Sequence, residues 1–219
     1  MIKVENLKCA YVNGNNNQVV FEKTNFIIND GDFVIITGPS GSGKTSLLKI
    51  ISGHQKPTNG KVYWDDLDIY NLKEKDLSKI KVKNTGFVYQ DFMLIDEINV
   101  YDNIILPQHL INNVQLDYVN KIINDLDLKK LLDKYPTHLS GGERQRVSIA
   151  RSLINNPKVI FCDEPTGSLD YLATMKIMNL LKEINEKYHV TIILVTHEQE
   201  NLCYGKKFIK FSNGIVQCE

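Results

Sequence analysis

Residues 33–53 read FVIITGPSGSGKTSLLKIISG, three pieces of different chemistry joined without a break. Phe33–Thr37 is short and almost entirely apolar, and a strand apolar on both sides belongs inside a parallel sheet covered on both faces. From Lys44 the pattern is helical and closes at Gly53. Between them, Gly38 to Thr45 satisfy GxxxxGK[ST] in full. The glycines Gly38, Gly41 and Gly43 let backbone N–H groups turn inward around phosphate oxygens without interference from a Cβ. The helix that follows adds its positive N-terminal end. Lys44 supplies a mobile cation for the β- and γ-phosphates, and the Thr45 hydroxyl is placed to ligate Mg²⁺. Gly38, Ser40, Gly41, Ser42, Gly43, Lys44, Thr45 and Ser46 are therefore the candidate nucleotide contacts.

Further along, KVIFCDEP presents four apolar residues, Val159 to Cys162, and then two acids. A buried strand delivers carboxylates to its C-terminal end, the edge where ligands bind in parallel α/β sheets. Adjacent carboxylates repel each other, and a nearby Mg²⁺ relieves that cost. Asp163 fits the metal side, and Glu164 is placed to polarise water attacking a γ-phosphate. Gln90, at the end of TGFVYQ, is a candidate for Mg²⁺ or the attacking water. His197, at the end of TIILVTH, is a candidate for the γ-phosphate.

Apolar strands alternating with helices imply an α/β fold around a mostly parallel sheet. Two strand-like pieces, 2–11 and 19–28, precede that core, separated by a turn or hairpin loop in the Asn-rich 13–18, and KVYW at 61–64 adds another strand. Residues 171–188 read as a helix, and the C-terminal segment as a hairpin turned at Asn213-Gly214. From about 91 to 156 the pattern is mostly helical, so the expected arrangement is one domain over 1–219. Its core would comprise 1–90 and 157–219, with 91–156 as an inserted helical subdomain. Phe92, Met93, Leu94 and Ile95 read equally as subdomain core or as a docking site for another protein.

Composition narrows the function. Lys plus Arg and Asp plus Glu stand at 26 each, so net charge offers no blanket attraction to nucleic acid or anionic lipid. No apolar run approaches the roughly 20 residues needed to span a bilayer. The N-terminus lacks the long apolar core of a secretion signal. The 4 cysteines are scattered, with no CxxC pair, which argues against zinc or a disulfide framework. The expectation is a soluble, cytosolic chain.

LSGGERQR, residues 139–146, poses a second question. Ser140 and Glu143 form an S-x-x-E capping box, with Val147, Ile149, Ala150, Leu153 and Ile154 on or near the buried side of the helix it starts. Capping does not explain Gly141 and Gly142, which cost helix stability in the first turn. Two glycines there suit close approach by something to the backbone, and an anion is the natural candidate.

These motifs, in this order, resemble those of the ATP-binding cassette ATPases. The elements are the phosphate loop, Gln90, LSGGERQR, VIFCDE, SLD at 168–170 and His197, and the resemblance covers essentially the whole chain. It implies a P-loop NTPase core with an N-terminal antiparallel β part and an inserted helical subdomain. It also implies two copies paired head to tail around two ATP molecules, so that Ser140, Gly141 and Gly142 contact the γ-phosphate of the partner's ATP. Asp170 would connect the two sites and Tyr11 would stack on adenine. Glu164 would be the catalytic base and His197 the γ-phosphate switch, with Thr45, Gln90 and Asp163 around Mg²⁺. Ser168 stands where Asn is common in the family.

The long stretch between Lys44 and Gln90, with VYDNIILP at 100–107, resembles the branch that releases lipoproteins, exports macrolides and confers resistance to peptide antibiotics. The resemblance therefore implies an ATP-hydrolysing subunit on the inner face of the cell membrane, working on a separate integral membrane permease, with no nucleic-acid partner. The alternatives are a soluble cassette ATPase acting on ribosomes or DNA, or one that transmits force and moves no cargo.

Overall fold

In the computed structural model β3 (Phe33–Thr37) lies inside a six-stranded sheet. The structure describes residues 1–13, 16–212 and 215–218, with the backbone alone at Val12, Asn13, Asn16, Asn17 and Ile215. Along the chain β1 (Ile2–Asn13) and β2 (Asn16–Ile28) come first, then β3, α1 (Lys44–Ile51), β4 (Asn59–Trp64) and β5 (Leu67–Asp68). Next are α2 (Glu74–Asn84), β6 (Thr85–Tyr89), α3 (Val100–Leu110), α4 (Leu116–Asp125) and α5 (Gly141–Leu153). The chain continues with β7 (Val159–Asp163), α6 (Tyr171–Tyr188), β8 (Thr191–Val195), β9 (Lys207–Ser212) and β10 (Ile215–Cys218).

The large sheet has the order β10-β9-β3-β8-β7-β6. All its neighbours run parallel except the β9–β10 pair at one edge. The turn of that C-terminal hairpin, at Asn213 and Gly214, lies outside the described residues, as does part of the Asn-rich loop at 13–18. The second sheet is antiparallel, in the order β2-β1-β4-β5.

The apolar runs of β3, β7 and β8 split between two cores with the period of a strand. Phe33, Ile35, Ile160, Cys162, Ile192 and Leu194 face a core shared with α3, α4, α5 and α6. Val34, Ile36, Val159, Phe161, Ile193 and Val195 face the other, built with α1 and the antiparallel sheet. Because both faces are covered, the middle strands carry no polar alternation, and the acids Asp163 and Glu164 come only where β7 ends. The helical segment between β6 and β7 shares one continuous core with the sheet. Gly86 permits the closest approach there, since a Cβ on it would lie 2.3 Å from the Ser152 carbonyl oxygen of α5. By contrast α2 buries no residue, as its charged sequence predicts. Among the described residues, no helix is long and apolar enough to cross a membrane.

Candidate functional site

The loop from Gly38 to Gly43 leaves the C-terminal end of β3 and enters α1 through a left-handed Gly43, φ 105°. Gly38 and Gly41 also have positive φ, 148° and 72°. A Cβ on Gly43 would lie 2.2 Å from a Val20 methyl, so the tight turn and close packing both need glycine. No side chain caps α1, which leaves its first amides open. The Ser42 hydroxyl is buried with no hydrogen-bond partner in the protein. Lys44, 5% exposed, folds back so that Nζ donates to the Gly38 and Pro39 carbonyl oxygens at 2.9 and 2.8 Å. Uncapped amides, an orphaned hydroxyl and a buried ammonium fit a polyphosphate, which supplies acceptors to all three.

β7 runs beside β6 and β8, and its end brings the remaining candidates to the same edge. The Thr45 hydroxyl of α1 donates to Asp163 Oδ1 at 3.0 Å. Burial raises the Asp163 carboxyl above its ordinary pKa; the Thr45 hydrogen bond opposes this and the charge of Glu164 adds to it. A carboxylate that burial penalises, with a hydroxyl against it, suits a cation. Among the described residues no three His, Cys, Asp or Glu side chains are grouped to hold a metal. A cation held at Asp163 would need further ligands from phosphate and water oxygens, which suits Mg²⁺.

Glu164 follows the strand in a left-handed conformation, φ 48°. Its carboxylate Oε2 lies 3.3 Å from His197 Nδ1, which comes from the loop after β8. Gln90 stands one residue past β6. With Thr45, Tyr89, Asp91, Met93, Asp163 and Glu164 it lines a cavity of about 320 Å³. Tyr11, from β1, is exposed, and its hydroxyl is 2.8 Å from Ser46 Oγ at the start of α1.

The second cradle lies elsewhere. Ser140, Gly141, Gly142, Ser168 and Asp170 line a cavity of about 820 Å³ that shares no residue with the first. Ser140 Oγ accepts from the Glu143 amide at 3.3 Å, and Glu143 accepts from the Ser140 amide at 2.8 Å, completing the capping box. The Ser140 amide foremost, and the Ser140 hydroxyl that also donates to Glu143 Oε2 at 2.8 Å, hold the Glu143 carboxyl below its usual range. A Cβ on Gly141 would press on Leu169 at 3.0 Å, so packing accounts for that glycine. At Gly142 the nearest atom would be Ala173 Cβ at 3.7 Å, an ordinary contact. Asp170 caps α6, accepting from the Ala173 amide at 2.8 Å.

Three features had no clear signal in the sequence. Phe92 and Met93 are both left-handed, φ 59° and 50°. Arg151 of α5 donates Nη1 to the Met93 carbonyl at 2.7 Å and Nη2 to that of Phe92 at 2.9 Å. Arg144 lies over the Phe92 ring at 4.9 Å. The apolar run 92–95 thus divides, with Phe92 buried and Met93 and Ile95 exposed.

A family model described as ABC transporter matches residues 21–167. The lipoprotein-releasing system ATP-binding protein LolD of Leptospira interrogans is 37% identical over 203 residues, covering 91% of this chain and 85% of its own length. The bacitracin export ATP-binding protein BceA of Halalkalibacterium halodurans is 34% identical over 219 residues, covering 99% and 87%. Among solved structures, the dimeric post-hydrolysis form of the ATP-binding cassette MJ0796 of Methanocaldococcus jannaschii, bound to ADP and Pi, superposes with TM-score 0.88. It is 36% identical, covering 100% of this chain and 98% of that one. With the phosphate loop, the acid pair and the Ser-Gly-Gly helix start in one fold, this chain belongs to the ABC transporter family as an ATP-binding subunit.

Proposed function

We propose that this chain binds and hydrolyses ATP with Mg²⁺ as a head-to-tail dimer, and that dimer closure drives a separate integral membrane protein. What carries the reading is the separation of the two cradles. Thr45, which closes the phosphate-loop motif, lines one cavity with Gln90, Asp163 and Glu164, and the Ser140 helix start lines another with no residue in common, so one chain presents two half-sites. A twofold pairing makes both whole. The relative solved as a dimer with ADP and Pi supports the same arrangement.

In this reading the open amides of α1, the Ser40 and Ser42 hydroxyls and Lys44 hold the β- and γ-phosphates, and Tyr11 stacks on adenine. Thr45, Asp163 and Gln90 are the residues that would hold Mg²⁺, which when bound neutralises phosphate charge. Glu164 takes a proton from water as its oxygen attacks the γ-phosphorus. The bond from that phosphorus to the β–γ bridging oxygen breaks, releasing ADP and phosphate. His197 donates to a γ-phosphate oxygen and registers its loss. From the opposite copy, Ser140, Gly141 and Gly142 offer their helix start to the same phosphate, and Asp170 links the two sites. Residues 1–90 and 157–219 would act as the nucleotide-binding core and 91–156 as the arm that carries the cradle.

The membrane partner would dock at the exposed Met93 and Ile95, next to Gln90. Such docking would place the chain at the inner face of the cell membrane. Likeness to LolD and BceA favours export or resistance involving lipoproteins, peptides or antibiotics over action on ribosomes or DNA.

Glu164→Gln should bind ATP normally, lose about 100-fold or more of hydrolysis, and sediment as a dimer in saturating ATP and Mg²⁺. Adding Ser140→Arg to that variant should return it to a monomer that still binds ATP. A Glu164→Gln chain that stays monomeric under those conditions sinks the dimer mechanism for the isolated subunit.

A further inference from the structure

Thr166, Thr196, Glu198 and Asn201 meet in one hydrogen-bonded cluster, and Thr166, Thr196 and Asn201 are each 2% exposed. Glu198 Oε2 accepts from Thr166 Oγ1 at 3.0 Å and from Asn201 Nδ2 at 2.6 Å. Asn201 Nδ2 also reaches Thr166 Oγ1 at 3.3 Å and Thr196 Oγ1 at 3.4 Å. The Glu198 amide donates to Thr196 Oγ1 at 3.0 Å. Among the described residues no ion pair includes Glu198; both side-chain bonds to its carboxylate are accepted by Oε2, and the residue is half-buried. Burying this many polar groups is costly unless each is satisfied, and a satisfied network fixes its members rigidly.

The cluster joins two loops. Thr166 lies two residues after Glu164, whose left-handed turn is closed by the Gly167 amide donating to the Glu164 carbonyl at 3.1 Å. Thr196 and Glu198 flank His197 on both sides. The loops leave neighbouring strands, β7 and β8, where the Glu164 amide donates to the Val195 carbonyl at 3.1 Å. Beyond that bond β7 and β8 no longer pair; the Thr196 amide donates to the Ile36 carbonyl of β3 at 3.2 Å, and side chains supply the contacts between the two loops. Asn201 itself is anchored, because Tyr204 of the same 3-10 turn donates to Asn179 of α6 at 3.1 Å.

We propose that Thr166, Glu198 and Asn201 are positioning residues that hold Glu164 and His197 at their working separation. The proposal rests on the reading of Glu164 and His197 as the groups acting on the γ-phosphate. Thr166→Val keeps the side-chain shape and removes the hydroxyl that bridges the loops; Thr166→Ser keeps the hydroxyl. Two measurements on the full-length chain separate positioning from general support: steady-state ATP hydrolysis, and amide hydrogen exchange resolved by peptide.

For Thr166→Val, kcat should fall about tenfold or more while KM for ATP stays within about twofold. Exchange should quicken at 164–167 and 196–201 and stay unchanged in β3, β7 and β8. Thr166→Ser should restore kcat to within about threefold of the wild-type value. Unchanged exchange in the two loops overturns the proposal, and so does quickening spread evenly over all strands with kcat and KM both altered. A wild-type chain without ATP hydrolysis counts against the functional reading, while the exchange pattern still decides whether the cluster holds the loops. Should Thr166→Val fail to fold, Glu198→Gln keeps the shape, removes the charge and is read by the same two measurements.

Discussion

Asp163 shows how much one side chain's surroundings add to its identity. In sequence it is the acid at the end of an apolar strand; in the fold, burial raises its pKa, opposed by the Thr45 hydroxyl and by Lys49 and Lys44, and reinforced by Glu164. Because the folded value is raised, the native state binds more protons than the unfolded chain between the ordinary carboxylate value and the raised one. Without nucleotide, this residue's contribution to stability therefore falls as pH rises through that interval, and the ionised form is a net cost above it. Asp163→Asn should melt above wild type at neutral pH, with the difference shrinking as pH falls from the raised value to the ordinary carboxylate pKa; each kcal/mol relieved is worth about 2–4 °C in a chain of this size. Thermal melts at several pH values check this, and a constant difference across pH would contradict it. Lys44, Thr45 and Asp163 were all legible as motif residues. That Lys44 folds onto its own loop carbonyls, and that Ser42 is left without a partner, were not, because both depend on how the loop closes.

Among the elements, α5 carries more than its sequence announces. Its capping box and buried face were readable from spacing, because both are local to one helix. Its hold on the segment after Gln90 was not, since Arg151 reaches residues 58 and 59 positions away. Two consecutive left-handed residues cost backbone energy, and a guanidinium bonded to both carbonyls offsets it. Arg151→Ala should destabilise the chain by about 2–4 kcal/mol in urea, because two charge-assisted bonds vanish and two carbonyls lose their donors. Arg151→Lys should recover less than half of that, as an ammonium cannot present a planar fork to two carbonyls. A loss below about 0.5 kcal/mol would mean that solvent replaces the arginine. The same segment divides Phe92–Ile95 between buried and exposed residues. Alternate turns of an irregular backbone bury Phe92 and expose Met93, a choice no hydrophobic pattern encodes.

For the molecule as a whole, the helical segment 91–156 is inserted in sequence but not walled off in space. α3, α4 and α5 pack with β3, β7, β8 and α6 in one continuous core, and Gly86 lets α5 lie close against β6. A shared core predicts shared cooperativity. Heat or urea should give one transition, with tertiary and secondary probes coincident and the calorimetric and van't Hoff enthalpies equal. Two resolved transitions would show that the helical segment unfolds by itself.

What the sequence determined alone were the features that local chemistry dictates. A strand apolar on both faces must lie inside a parallel sheet, glycines before a Lys-Thr helix start make a phosphate cradle, and acids after a buried strand must emerge at its C-terminal end. The Ser-Gly-Gly helix start could likewise be read as an anion site. Tertiary structure decided which of these meet. β7 and β8 lie side by side, so Glu164 comes within 3.3 Å of His197, while the second cradle opens on a separate cavity. Separations of that kind are set by strand order and by buried hydrogen bonds between distant loops, and neither is written in any short stretch of residues.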